Sequence, residues 1–183
     1  VAEPDGNGQS IEDAVETFES FGDRVDDYSF RIEHDFDELL DAYLTMLMVN
    51  SAEFDECFRE SYGVDVLDEH RHLVTDQVAR RTERAREISA IEYTHTGVIR
   101  TDVYDAVQAV FKEYDVLVTP TLAIPPFPRE RGEPENVDHL PINDSFGWML
   151  TWPFNMSGHP ATSIPIGFTD AGLPIGMQIV GDR

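Results

Sequence analysis

His70-Arg71-His72, beside Asp68 and Glu69, brings together imidazoles and carboxylates, the donor types a divalent metal takes. The spacing places no third ligand, and a solvated turn is the simpler reading. Asp5, Asn7, Gln9 and Glu16 fall at positions one, three, five and twelve of a calcium loop, but Ser10 stands where that loop needs Gly and Pro4 precedes it. Arg80, Arg81, Arg84 and Arg86 are a candidate anion grip, with Arg80 and Arg84 on one helical face and Arg81 close to it; acids elsewhere in the chain offer them partners, so structural ion pairs are the simpler reading. Among nucleophiles, Lys112 closes an amphipathic helix and Cys57 sits between Glu56 and Phe58, while no Gly-x-Ser-x-Gly elbow occurs. There is no phosphate loop, and Gly6-Asn7-Gly8 is too short for a dinucleotide fingerprint and has no strand before it. Spacing alone assembles no active site, and neither a metal nor a cofactor is expected.

The elements that must position any site belong to a chain of 183 residues with 36 Asp plus Glu against 13 Lys plus Arg, a net charge of -23. Such a surface opposes binding to nucleic-acid phosphates or to an anionic membrane, both of which require clustered Lys and Arg. All basic residues but Lys112 are Arg. Adaptation to high salt accounts for that surface, and an acidic partner-binding face is the alternative; a salt titration of stability separates them, because a salt-adapted fold is lost at low salt. With 41% hydrophobic residues the chain can bury a core despite its charge. The single Cys57 forms no internal disulfide. No cationic start leads into an apolar run, so the expected setting is cytoplasmic and reducing.

Residues 1–9 read as a loop or a cut edge. Residues 10–113 read as mainly helical: Ser10 caps a helix with the stripe Ile11, Ala14, Val15, Phe18 and Phe21, ended by Gly22. Residues 24–32 alternate loosely (Val25, Tyr28, Phe30, Ile32) and suggest a strand. Helices are expected at 37–49, 53–62, 75–88 and 101–113. Residues 114–183 change character. Residues 115–119 form a short apolar run stopped by Pro120, which fits a strand buried on both faces. A helix is expected at 144–154, and residues 163–168 and 174–181 flank a Thr169-Asp170-Ala171-Gly172 turn as a hairpin. Gly158, Gly172 and Gly176 are read as serving backbone geometry, and Pro165 and Pro174 as strand starts or edges. The expected fold class is α/β, a mixed β-sheet covered by helices.

Three ordered segments carry a resemblance: Tyr114-Asp115-Val116-Leu117-Val118-Thr119-Pro120-Thr121, Thr151-Trp152-Pro153-Phe154-Asn155-Met156-Ser157-Gly158-His159-Pro160-Ala161 and Gly172-Leu173-Pro174-Ile175-Gly176-Met177-Gln178-Ile179-Val180-Gly181. Together they resemble the C-terminal part of the amidase signature family. The resemblance implies the C-terminal portion of that family's fold, and an activity that hydrolyses carboxamides or, in the branch that serves the tRNA-dependent amidotransferases, releases ammonia from glutamine. Both proceed through an acyl-enzyme on a Ser, a second Ser on a cis peptide and a Lys. That triad lies in a Gly/Ser-rich tract which this sequence lacks; no two Ser are adjacent and Lys112 has the wrong context. No catalytic residue is therefore assigned, and the chain alone is expected to be inactive.

The resemblance carries a substrate-channel role onto Ser145, Trp148 and Trp152. Independently, Ser145, Trp148, Trp152 and Asn155 follow i, i+3, i+7 and i+10, one helical face. Two indoles there would make an aromatic wall suited to an apolar acyl group; ordinary core packing is the alternative. Thr119, Pro120 and Thr121 follow a strand end, where α/β sites collect, and are a second candidate for the rim. Asn143 and Asn155 each head an Asn-x-Ser sequon. The family implies that Asn155 is buried and bonded to loop backbone. The expected partners are a small-molecule amide and a second copy or a complementing N-terminal half. Three functions stay open: part of an amidase, part of the glutamine-hydrolysing component of a glutamyl-tRNA(Gln) or aspartyl-tRNA(Asn) amidotransferase, or a non-catalytic acidic binding or assembly module.

Overall fold

The computed structural model describes residues 7–29, 32–128, 130, 134, 136–137, 140–141 and 146–183, which fall into two compact units. One comprises Glu33–Asp102; the other comprises Val1–Ile32 with Val103–Arg183.

In the unit 33–102, α2 (Phe36–Tyr62) is one continuous helix, where the sequence suggested two. Nothing between Val49 and Glu53 breaks it, since that stretch has neither Gly nor Pro. Asp35 caps its start by accepting from the Glu38 amide at 2.9 Å, Asp37 and Glu38 favour the positive end of the dipole, and Gly63 ends it in the left-handed region at φ 68°. Leu39, Leu40 and Ala42 are buried on its inner face. Residues Val66–Glu69 form α3, and Arg71–Leu73 a single 3-10 turn. Helix α4 (Asp76–Ala85), capped by Thr75, buries Ala79, Thr82 and Ala85 and packs on α2. Arg86, just past its end, reaches the buried Asp55 of α2 at 3.4 Å, and Arg84 pairs with Glu87. Helix α5 spans Ala90–Val110, starting eleven residues before the expected Thr101; its last residues, from Val103, belong to the other unit.

In that second unit, α1 (Asn7–Ser20) starts three residues before the expected Ser10, which lies inside the helix rather than at its cap. Asn7 and Gln9 are thus helical, which removes the calcium loop; Asp5 lies outside the described residues. No strand forms at residues 23–29, and Phe30 and Arg31 lie outside the described residues. The alternating side chains are used otherwise: Tyr28 packs edge-on against Tyr114 at 5.7 Å, Arg24 lies 5.1 Å over the Tyr114 ring, and Tyr114 donates to Asp26 at 3.2 Å.

Strands β1 (Val116–Pro120), β4 (Ala161–Phe168) and β5 (Pro174–Gly181) form an antiparallel sheet in the order β1-β5-β4. The expected hairpin is β4–β5, with Ile164 opposite Met177 and a bulge between Pro165 and Gly167. Two short strands, β2 (Asn136–Val137) and β3 (Leu140–Pro141), pair separately. Strand β1 was expected to be buried on both faces, but Val116 is 48% exposed while Leu117 turns inward, and among the described residues the strand pairs only with β5. The core joins Val107 and Val110 of α5, Leu117, Val180 and Phe154, with Phe111 and Tyr114 against it. Phe154 stands on α6 (Trp152–Ser157).

Candidate functional site

The end of β1 is held from two sides. Thr121 N–H donates to Gly176 of β5 at 3.1 Å, and residues 121–123 run antiparallel to 148–150: Ala123 N–H reaches Trp148 O at 2.9 Å and Leu150 N–H reaches Thr121 O at 3.2 Å. Gln178, 2% exposed on β5, ties the two together. Its side-chain amide donates to Thr119 Oγ1 and to Leu150 O, each at 2.9 Å, and to Pro120 O at 3.3 Å. A buried amide with several acceptors fixes geometry because each of those carbonyls would otherwise be desolvated without a partner.

This arrangement puts Thr119, Pro120 and Thr121 beside Trp148, but not through a helix. Residues 146–148 form a turn and α6 starts only at Trp152, so the single helical face expected for Ser145, Trp148, Trp152 and Asn155 does not form. Pro153 is the cause: without an N–H, and with a ring that obstructs the carbonyl four residues back, it fits only a first helical turn. Gly158 then ends α6 at φ 78°. Ser145 and Asn143 lie outside the described residues. Trp148 packs edge-on against Phe127 at 5.4 Å, and its buried Nε1–H has no hydrogen-bond partner among the described residues. Trp152 is 4% exposed, and Asn155, expected to be buried, is exposed because its side of α6 turns from the core that Phe154 and Met156 enter.

In front of Thr121 opens a groove of about 320 Å³, bounded by Ile11 of α1, by Pro120–Leu122 and Ile124–Pro126, by Ser163–Pro165 of β4 and by Pro174–Gly176 of β5. None of the residues lining it is ionisable, in a chain where 27% are charged. Thr121 Oγ1 and Ser163 Oγ meet at 2.8 Å on its floor. Sequence reasoning missed Ser163 and the close approach of Thr121 and Ser163 over Gly176, where a Cβ would lie 3.0 Å and 3.1 Å from their hydroxyl oxygens; the one signal was a Gly inside an apolar strand, which marks a close approach.

Behind the sheet, His159 is 5% exposed, stacked on Tyr104 at 5.0 Å and tilted against Phe111 at 5.6 Å. Its polar contacts have a fixed direction. Asp182 can only accept, so Gln108 Nε2 donates to it at 2.6 Å and turns Oε1 to His159. His159 Nε2–H donates to that oxygen at 3.1 Å, which leaves Nδ1 to accept from the Ser157 hydroxyl at 2.9 Å. Desolvation holds the His159 pKa below its ordinary 6.5, opposed by Asp182 and aided by Arg183. In the other unit, His34 is raised above 6.5 by hydrogen bonds to Asp102 and Glu38.

The signs are opposite. As pH falls through 6.5 the unfolded chain protonates before His159 does, so that contribution is present above this pH and lost below it; the His34 contribution is full below 6.5 and lost as pH rises through its raised value. Imidazole titration by NMR, with amide exchange read in each unit, is expected to show residues around His159 losing protection and those around His34 gaining it on mild acidification. Equal signs would contradict both assignments.

Other sequence candidates separate. His70, just before the 3-10 turn, and His72 within it have ring centroids 6.2 Å apart, and among the described residues no group of three His, Cys, Asp or Glu is placed to hold a metal. Arg71 pairs with Asp76, and Arg80 does not line the groove in front of Thr121. Cys57 is exposed on α2. No helix among the described residues is long and apolar enough to cross a membrane.

The family model described as Amidase matches residues 5–183. An acylamidase of Rhodococcus erythropolis is 30% identical over 123 residues, 67% of this chain and 26% of that protein. A glutamyl-tRNA(Gln) amidotransferase component of Halalkalibacterium halodurans is 30% identical over 190 residues, 94% of this chain and 37% of that protein. The crystal structure of a bacterial aryl acylamidase of the amidase signature enzymes superposes with a TM-score of 0.82 at 31% identity, over 96% of this chain and 36% of that one. The chain thus spans between a quarter and two fifths of the length of these relatives.

Proposed function

This chain belongs to the amidase family, and on that premise we propose that it forms the C-terminal, substrate-channel part of an amidase that hydrolyses a carboxamide to a carboxylic acid and ammonia. The reaction adds water across the C–N bond in two steps: a Ser oxygen displaces ammonia to form an ester, and water then displaces the Ser. The Ser, the cis-peptide Ser and the Lys that perform it are not among these 183 residues, so the chain's own share is to shape the acyl side of the channel. Pro120 and Thr121, which line the groove, are assigned to its rim together with Thr119; Trp148, which packs on Phe127 outside the groove's lining, and the buried Trp152 are assigned to an aromatic wall of the channel, as is Ser145, which lies outside the described residues.

The observation that carries this reading is the uncharged groove at the end of β1. An apolar acyl group loses little on entering it, whereas the ammonium and carboxylate of glutamine would be desolvated without counter-charges. The amidotransferase reading draws support from the match to the Halalkalibacterium halodurans sequence over 94% of this chain. In either case the partners are an amide substrate and the remainder of the catalytic domain, in the same polypeptide or a complementing one. The acidic surface fits a cytoplasm of high salt.

Antibody capture of the native polypeptide from its source, followed by intact-mass measurement and ammonia release, tests this. The expected species is more than twice 20.7 kDa and releases ammonia from benzamide faster than from glutamine. A lone 20.7 kDa species without activity would leave the binding-module reading, and a preference for glutamine would leave the amidotransferase.

A further inference from the structure

We infer that His159 and Ser157 form a proton-operated switch at the end of α6: a proton taken up at His159 Nδ1 reverses the hydrogen bond to Ser157 and turns that residue's hydroxyl hydrogen onto Phe154 O. The inference stands apart from the amidase reading, because these groups lie outside the groove and take no part in the proposed chemistry.

The groups of the switch leave one another few alternatives. His159 is 5% exposed and Ser157 1% exposed, so their polar atoms depend on protein partners. In the neutral state Asp182 fixes Gln108, Gln108 Oε1 takes the Nε2–H, and Nδ1 is left as a lone pair 2.9 Å from Ser157 Oγ. Ser157 has a single hydrogen to give and two acceptors in range, Nδ1 at 2.9 Å and Phe154 O at 3.4 Å. The nitrogen takes it, since Phe154 O already accepts from Gly158 N–H at 2.8 Å and Nδ1 would otherwise be buried without a partner.

A proton added at Nδ1 changes only which atom donates. Nδ1–H now points at Ser157 Oγ, which accepts it, and the hydroxyl hydrogen moves to the second lone pair of Phe154 O. The proton comes from water, Ser157 keeps its own hydrogen, and no bond between heavy atoms forms or breaks. Both N–H groups of the imidazolium are then paired while the ring keeps its place against Tyr104 and Phe111.

The amide between imidazole and carboxylate is what makes the proton exchangeable. His34 touches Asp102 at 2.9 Å and Glu38 at 3.0 Å directly, and these contacts raise its pKa above 6.5. Burial instead holds the His159 pKa below 6.5; Asp182 favours the proton but acts only through space and through Gln108, and Arg183 opposes it. Tyr104 of α5 is the titratable side chain stacked on the ring, while Ser157 and Phe154 of α6 bring no charge. The signal therefore emerges at the last turn of α6, where Phe154 O and the capping Gly158 N–H receive the displaced hydrogen.

The test uses the full chain, uniformly 15N-labelled, with the His159 signals identified by their loss in His159→Gln. Above pH 6.5 the ring is expected to carry its hydrogen on Nε2, and on acidification the Gly158 amide is expected to shift with the same midpoint as the ring. Ser157→Ala removes the oxygen that receives the imidazolium and is expected to weaken proton binding about 5- to 10-fold, because a charge-assisted bond is lost against a neutral one. Asp182→Asn, at an exposed position, frees Gln108 to present either end of its amide and is expected to populate the Nδ1–H tautomer beside the Nε2–H form. A merely structural role for the cluster would leave the tautomer unmoved. Should Ser157→Ala disturb the fold, Asp182→Asn decides. An Nδ1–H tautomer in the native chain, a single unchanged tautomer in Asp182→Asn, unaltered proton affinity in a folded Ser157→Ala, or a Gly158 amide that does not follow the ring would overturn the inference.

Discussion

Phe154→Ala is expected to lower the unfolding free energy of the chain by about 4 kcal/mol, the largest effect of any single substitution considered. The ring is 5% exposed and packs with Val107, Val110, Leu117 and Val180, so it joins α6 to both α5 and the sheet. Truncating a buried Phe removes its transfer energy and leaves a cavity that its neighbours fill only in part, typically about 3–5 kcal/mol. Single domains are stable by about 5–15 kcal/mol, so the variant would sit near its threshold. Urea unfolding checks this, with Phe154→Leu as a companion expected to lose less than half as much. A loss below about 1 kcal/mol for the Ala variant would show that this ring is not a core member.

Gln178→Leu is expected to cost about 3 kcal/mol and to loosen the candidate site. The substitution keeps the volume roughly constant but leaves the Leu150 and Pro120 carbonyls and the Thr119 hydroxyl without their shared donor. Each buried group so deprived costs about 1–3 kcal/mol, less where water can reach it. Gln178→Glu is more severe still, because a carboxylate has no N–H and would face two carbonyl oxygens. With Leu150 released, the 148–150 segment loses its tether to β5, so Trp148 emission is expected to shift to the red. Leu and Glu variants with native stability and emission would show that the amide does not hold the loop.

The sequence made legible what local chemistry decides. Apolar runs bounded by Pro and Gly placed β1 and the β4–β5 hairpin, and helical spacing placed α2, α4 and α5 in kind if not in length. Thr119, Pro120 and Thr121 stand out from the strand end alone; Pro120 and Thr121 line the groove, while Thr119 is held by the Gln178 side chain. Trp148 was readable only as a residue type: helical arithmetic assigned it a face, but Pro153 moved the helix start to Trp152. Asn155 was misjudged because which side of a six-residue helix meets the core depends on neighbours distant in sequence, Val107 and Val180 among them. Ser163 and Gly176 converge with Thr121 across three strand segments, a pairing set by register and invisible to spacing. Residues 23–29 alternate like a strand, yet Tyr114 captures their side chains from outside the segment.

The bulge between Pro165 and Gly167 bears on how the chain behaves when concentrated. Among the described residues strand β4 lies at the sheet's margin, and Ala161–Phe168 carries no charged side chain, the profile of a segment that templates cross-chain pairing. Pro165 withholds an N–H halfway along it, and the bulge breaks the alternation just beyond. An incoming strand would find only Ala161–Ile164 in regular register before the ladder fails, too short a run to nucleate a fibril. That local interruption does not weaken with ionic strength, so it guards against self-association under the salt conditions that would screen the repulsion of a chain carrying -23 charges.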